Sequence, residues 1–162
     1  MNPPLPHQQR FNYRPITPKD LPLINTIIYE GKKYWGYAEE DVQRYMKAVG
    51  IYDENYFQNG FGFILEREAE TVGFYLFKTD EDPIHLNHFH LNTKFIGQGY
   101  GRLLWGHCIA EAKKKRWKEF TFWSDPNSFG FYTRMGALKI GDLPMITVPG
   151  KMAPIMQYSL GS

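Results

Sequence analysis

The stretch from Leu86 to Arg116, LNHFHLNTKFIGQGYGRLLWGHCIAEAKKKR, restricts the possible folds of this chain more than any other. It reads as a strand, a glycine-rich turn and a helix. Gly97, Gly99 and Gly101 alternate through the turn, and apolar residues then follow at helical spacing: Leu103, Leu104 and Ile109, with Trp105, Cys108 and Ala112 beside them. Glycine lets the main chain take positive φ and approach a ligand closely. The unpaired N–H groups of a helix's first turn then face whatever occupies the turn, which makes an anion site suited to phosphate. Two better-known phosphate loops do not fit. A P-loop needs Lys and then Ser or Thr after its last glycine, where this chain has Arg102 and Leu103. A dinucleotide fingerprint needs its third glycine at position 102, which is Arg102. The turn is a third kind of pyrophosphate cradle or an unliganded turn, and the motif alone leaves both open.

The elements around it predict a mixed architecture. Residues 1–9, MNPPLPHQQ, read as a flexible arm, and residues 10–162 as one domain. Phe11 to Ile16 reads as a strand, and Thr17 or Asp20 as the cap of a helix that buries Leu23, Ile24, Ile27 and Ile28 and ends near Gly31. Gly31 to Tyr37 is then a loop rich in aromatics, followed by a helix from Ala38 to Val49 with an acidic first turn. Tyr56-Phe57, Phe61 to Arg67 and Thr71 to Lys78 read as an antiparallel meander. Beyond the central helix, Phe120 to Trp123 is a short strand, and Ser128 to Met135 a helix ended by Gly136. Ala137 to Ile140 and Pro154 to Leu160 are strands joined by a long loop, Gly141 to Lys151, placed to close over something. Lys113 to Arg116 reads as a solvated helix end.

His85 to Leu91, HLNHFHL, breaks strict alternation, because the apolar set Leu86, Phe89 and Leu91 changes parity. One extra residue at Asn87-His88, a β-bulge, restores it. His85, Asn87, His88 and His90 then share one face. A bulge also splays the strand from its neighbour and frees main-chain groups for a ligand. A half-exposed strand with solvated histidines is the plainer reading. No carboxylate or Cys completes a metal set, so no metal is expected. The lone Cys108 excludes an internal disulfide, no apolar run reaches the ~18 residues of a membrane span, and no signal-peptide core is present. A cytoplasmic protein is the expectation, and a net charge of +2 argues neither for nor against nucleic acid.

The order of these elements resembles the GNAT acetyltransferase superfamily. That family joins a strand to a turn of the form Arg/Gln-x-x-Gly-x-Gly/Ala and a long helix, then a strand leading to a short helix with Asn and Phe-Tyr before a Gly. This chain carries Ile96-Gly97-Gln98-Gly99-Tyr100-Gly101, then Trp123-Ser124-Asp125-Pro126-Asn127, Gly130-Phe131-Tyr132 and Met135-Gly136-Ala137. Ile96 stands where the family has Arg or Gln, so a contact is lost that Arg102 could supply.

The resemblance implies an α/β (α+β) fold: a mixed, mostly antiparallel sheet of six to seven strands, helices on both faces, and a bulged fourth strand. It implies an N-acetyltransferase that moves the acetyl group of acetyl-CoA directly to a primary amine of a small molecule or peptide, with no covalent enzyme intermediate, no metal, no nucleic acid and no membrane. A homodimer is left open. The pyrophosphate would rest on the amides of Gly97 to Arg102, and the pantetheine arm would run along Phe89, His90 and Leu91, with Asn127 holding its amide and Phe131 beside it. An alkyl amine titrates near ~10 and a thiol near ~8.5, so a base and an acid are needed. The resemblance puts Tyr132 at the acid's place, and His85, then His88, then Glu30 are candidate bases, since histidine titrates near ~6.5. Tyr34, Trp35 and Tyr37, with Asn87, Trp123 and the 141–151 loop, would wall the acceptor. A non-catalytic acyl-CoA-binding sensor or interaction module of the same fold is the alternative.

Overall fold

The structure is a computed structural model that describes residues 10–51 and 54–161; the expected arm, residues 1–9, lies outside the described residues. Seven strands form one sheet: β1 (Phe11–Pro15), β2 (Gly60–Arg67), β3 (Glu70–Lys78), β4 (Ile84–Leu91), β5 (Glu119–Trp123), β6 (Leu138–Pro144) and β7 (Met152–Ser159). Their order is β1-β2-β3-β4-β5-β7-β6. Every neighbouring pair is antiparallel except β4 and β5. Four helices accompany it: α1 (Leu21–Tyr34), α2 (Glu39–Val49), α3 (Tyr100–Lys114) and α4 (Phe129–Arg134). Among the described residues no helix is long and apolar enough to cross a membrane.

Side-chain alternation sorts the core onto two faces. Phe74 and Leu76 of β3 point to one face, where Ile24, Ile27 and Ile28 of α1 and Val42 and Met46 of α2 cover them. Tyr75 and Phe77 point to the other, against Leu104, Trp105 and Cys108 of α3. A strand covered on both faces is buried almost throughout, as β3 is from Val72 to Phe77. Each fully buried aromatic or aliphatic side chain there stabilises by roughly 1.5–3 kcal/mol.

Three sequence expectations need correction. The first helix does not end near Gly31 but runs to Tyr34. A glycine inside a helix costs about 1 kcal/mol, and this one faces the His90 ring, whose Nδ1 would lie 4.0 Å from a Cβ built there. Tyr56 and Phe57 sit in a short 3-10 turn, Glu54–Gln58, and not in a strand. The loop expected from Gly141 is shorter, because β6 keeps pairing with β7 as far as Pro144 opposite Met152. β6 is an edge strand, where proline's missing N–H leaves no gap in a ladder.

The feature that positions the site is a split between β4 and β5. Their parallel pairing consists of Ile84 opposite Phe120 and His85 opposite Thr121. Directly after it, β4 bulges: Phe77 of β3 pairs with Leu86 and Leu76 with His88, so Asn87 is the extra residue. A bulge bends its strand and increases local twist, and beyond it the two strands part.

Candidate active site

The split opens into a cavity of about 550 Å³. Its outer end is the glycine turn. Gly97 and Gly99 have φ of 81° and 88°, a region where L side chains are strained. Gly99 is the N-cap of α3 and supplies no side-chain cap, so the helix's first N–H groups lack that partner. A Cβ built on Gly97 or Gly99 meets nothing within 4 Å, so the space in front of the turn is open. Gly101 serves packing instead: its Cβ would stand 3.2 Å from the Phe131 ring. Ile96, Gly97, Gly99, Gly101 and Arg102 all line the cavity. Gln98 and Tyr100 do not; the Gln98 amide donates to the Lys94 carbonyl at 3.0 Å, and the Tyr100 hydroxyl accepts from Arg67 at 2.6 Å. Arg134 of α4 also lines the cavity, a cation that no sequence motif marked.

The inner wall is β4. His88, Phe89, His90 and Leu91 line the cavity, and past His85 the β5-facing main chain of β4 has no strand partner. The Phe89 ring packs on Trp105 at 5.5 Å and on Tyr132 at 6.0 Å between centroids. Phe131 and the buried Tyr132 complete that side. Burial raises the Tyr132 phenol well above its ordinary value, so it stays protonated. His88 and His90 lie on the α1 face of the strand, with Nδ1 of one 3.4 Å from Nε2 of the other. Burial lowers both: His88 is brought down to about 4, against a Val49 main-chain contact that favours its protonated form, and His90 further. His88 Nε2 has no hydrogen-bond partner.

A buried ion pair stands at the mouth of the split. Lys32 Nζ of α1 lies 2.7 Å from Asp125 Oδ2, with the two side chains 8% and 10% exposed. The Asp125 carboxylate also accepts from the Tyr37 hydroxyl at 2.9 and 3.1 Å, from the Asn127 main chain at 2.8 Å and from the Asn127 amide at 2.8 Å. Burial alone would raise that carboxyl, but Lys32 and these donors hold it below its usual range. The Lys32 ammonium sits 4.3 Å from the centre of the Tyr45 ring.

A second cavity of about 490 Å³ meets the first at Lys32, Tyr45, Asn87, Trp123 and Asp125. His85 lines this one and not the first. Burial lowers the His85 imidazole, with Glu81 opposing and Lys78 adding to the effect; its ring meets Trp123 edge-on at 5.2 Å. The Asn87 amide donates to the Tyr56 hydroxyl at 2.6 Å. Leu143 to Thr147 close the far side, and Arg44 of α2 ties that segment down through the Thr147 carbonyl at 2.9 Å.

The expected acceptor wall is therefore rearranged. Trp35 lines the first cavity. Tyr37 reaches the site only through its hydroxyl on Asp125 and Asn127. Tyr34 and Glu30 are exposed and line neither cavity, because α1 continues through them and turns them outward. Tyr45, Tyr56 and Lys78, which no motif singled out, supply the second cavity instead. Cys108 is fully buried under α3, and among the described residues no three His, Cys, Asp or Glu are grouped to hold a metal.

Residues 28–142 match the family model described as Acetyltransferase (GNAT) domain. A search of curated proteins finds no match. Among solved structures, the fold resembles the PaiA N-acetyltransferase of Thermoplasma acidophilum in complex with coenzyme A, with TM-score 0.76 and 16% identity over 93% of this chain and 99% of that one. It also resembles a ribosomal-protein alanine N-acetyltransferase of Escherichia coli, with TM-score 0.68 and 17% identity over 94% and 96% of the two chains. An acetyltransferase of Staphylococcus aureus Mu50 gives TM-score 0.68 and 13% identity over 93% and 99%. At such identities the likeness is one of fold.

Proposed function

From the premise that this chain belongs to the GNAT acetyltransferase family, we propose that it is an N-acetyltransferase that passes the acetyl group of acetyl-CoA directly to a primary amine. The observation that carries this reading is the uncapped start of α3 behind the open, positive-φ turn at Gly97 and Gly99, facing the split between β4 and β5. The residues fit the coenzyme. A diphosphate finds main-chain donors at the helix mouth, with Arg102 and Arg134 on the same wall. An extended amide-bearing arm finds unpaired strand edge along Phe89 to Leu91. Acetyl-CoA would supply the activated thioester carbonyl.

The chain's own groups then divide the work. Main-chain N–H groups of β4 past the bulge stabilise the oxyanion that forms as the amine attacks. Attack makes the nitrogen a far stronger acid, so a weak base suffices to take its proton. His85 is neutral at physiological pH because burial lowers it; it lines the second cavity, from which the amine enters. Tyr132 serves as a standing hydrogen-bond donor to the departing sulfur, since its raised phenol holds its proton. Asn127 is engaged by Asp125 and Tyr37 and fixes the loop that faces the arm.

Titration calorimetry with acetyl-CoA and a free-thiol assay with an amine panel test the reading. Gly99→Leu is expected to weaken coenzyme binding about tenfold or more, because its side chain fills the cradle and strains the turn. Tyr132→Phe is expected to lower turnover about tenfold with coenzyme affinity unchanged. Coenzyme binding with no amine ever acetylated would select the sensor or interaction module instead.

A further inference from the structure

We infer that the second cavity selects an amine that also carries an anionic group, a carboxylate or phosphate, held by Lys78. This rests on the acetyl-transfer reading above and adds the substrate class. The cavity's carboxylate, Asp125, is already saturated. It takes the Lys32 ammonium at 2.7 Å, the Tyr37 hydroxyl at 2.9 and 3.1 Å, and two Asn127 donors at 2.8 Å. A carboxylate offers about four lone-pair sites, so nothing remains for a substrate ammonium. Lys78, by contrast, has no carboxylate within ion-pair distance among the described residues. Its ammonium lies 5.8 Å from the centre of the Tyr56 ring, and it pairs across the strands with His85.

Two cations therefore line a cavity in which the one wall carboxylate among the described residues is spent on one of them. Asp80 and Glu81 are exposed and do not line it, although Glu81 acts on His85, and both act on Tyr56, through space. The remaining surface is aromatic and aliphatic: Tyr45, Tyr56, Trp123, Val49 and Ile51. Such a field repels an ammonium and draws an anion. It favours the free-base form of the reacting amine and anchors the far end of the molecule at Lys78. Among the described residues a diamine or polyamine meets no unpaired acid in the wall to hold it.

The test uses amines matched in basicity and differing at the far end. 4-(Aminomethyl)benzoate, 4-(aminomethyl)phenyl phosphate, 4-(aminomethyl)benzamide and 4-(aminomethyl)benzylamine are assayed with the full chain, acetyl-CoA and free-thiol detection. The carboxylate or the phosphate is expected to exceed the benzamide in kcat/KM by about tenfold, the low end of what a charge-assisted hydrogen bond supplies; the better of the two identifies the anion. The diamine is expected to be the poorest. Lys78→Met is expected to bring the acid-over-amide ratio toward one, mostly through KM, and Lys78→Arg to retain it. An amide or diamine acetylated as well as the acids, or a ratio unmoved in Lys78→Met, overturns this inference and leaves acetyl transfer standing. Coenzyme binding with no acetylation of any member overturns acetyl transfer and this inference together.

Discussion

On the α3 face of the sheet, Trp105 is surrounded by Phe89, Phe120, Phe122, Phe131, Tyr132 and Tyr158 at ring-centroid distances of 5.4 to 6.4 Å. On the α1 and α2 face, Phe74 and Leu76 share their environment with buried Lys32, His85 and His88. The first face draws its stability mainly from apolar area, with the Tyr75–His107 hydrogen bond and the unpartnered Trp105 Nε1 as its polar exceptions. The second holds charged and titratable groups that are stable only with their partners or without charge. A change on the first face costs in proportion to the hole it leaves. A change on the second depends on what is left behind.

Trp105→Ala is expected to cost about 4 kcal/mol of unfolding free energy in denaturant titration, the range for emptying a large aromatic site; a loss near zero would mean that the α3 face is not the stabilising one. Lys32→Met is expected to cost about 3 kcal/mol, because it leaves the largely buried Asp125 carboxylate without its counter-charge. The double variant Lys32→Met, Asp125→Leu should regain at least half of that, and a simple sum of losses would refute the pairing.

A third effect comes from pH. His88 titrates near 4 in the fold, and histidine in an unfolded chain near ~6.5. Between these values the unfolded chain binds a proton that the native chain refuses, so stability present above the upper value falls as pH drops. His88 alone contributes up to about 1.4 kcal/mol per pH unit, and this share levels off below its folded pKa. Denaturant midpoints measured across that window should lose that share of their pH dependence in His88→Gln, while His85 and His90, also lowered by burial, keep the remainder. The smallest effect is a gain: Gly106→Ala, mid-α3 with nothing within 4 Å of the added Cβ, should stabilise by about 0.8 kcal/mol.

The same contrast explains what could be read from the residues alone. Apolar periodicity reports area, so the α3 helix, the sheet strands and the parity break that marks the Asn87 bulge were legible between Leu86 and Ala112. Thr17 to Asp20 was legible as a helix start; Pro18–Asp20 forms a short 3-10 helix leading into α1, with Thr17 and Asp20 in a capping box. Polar partnerships across long separations carry no local signal. Asp125 accepts locally from the Asn127 N–H, but its pairing with Lys32 spans 93 positions. Lys78 and Tyr45 looked like ordinary strand and helix residues. Gly31 looked like a stop because its neighbour, His90, is distant in the chain.

The meeting of β4 and β5 at Ile84 with Phe120 and His85 with Thr121 has a mechanical consequence. Strands β1 to β4 and strands β5 to β7 are two panels whose ladder meets at two register pairs, with the Lys32–Asp125 bridge as a latch on one face and the Trp105 ring cluster on the other. Force or amide exchange should find this seam before any other in the sheet, and a molecule lying across it would act as the missing stitches.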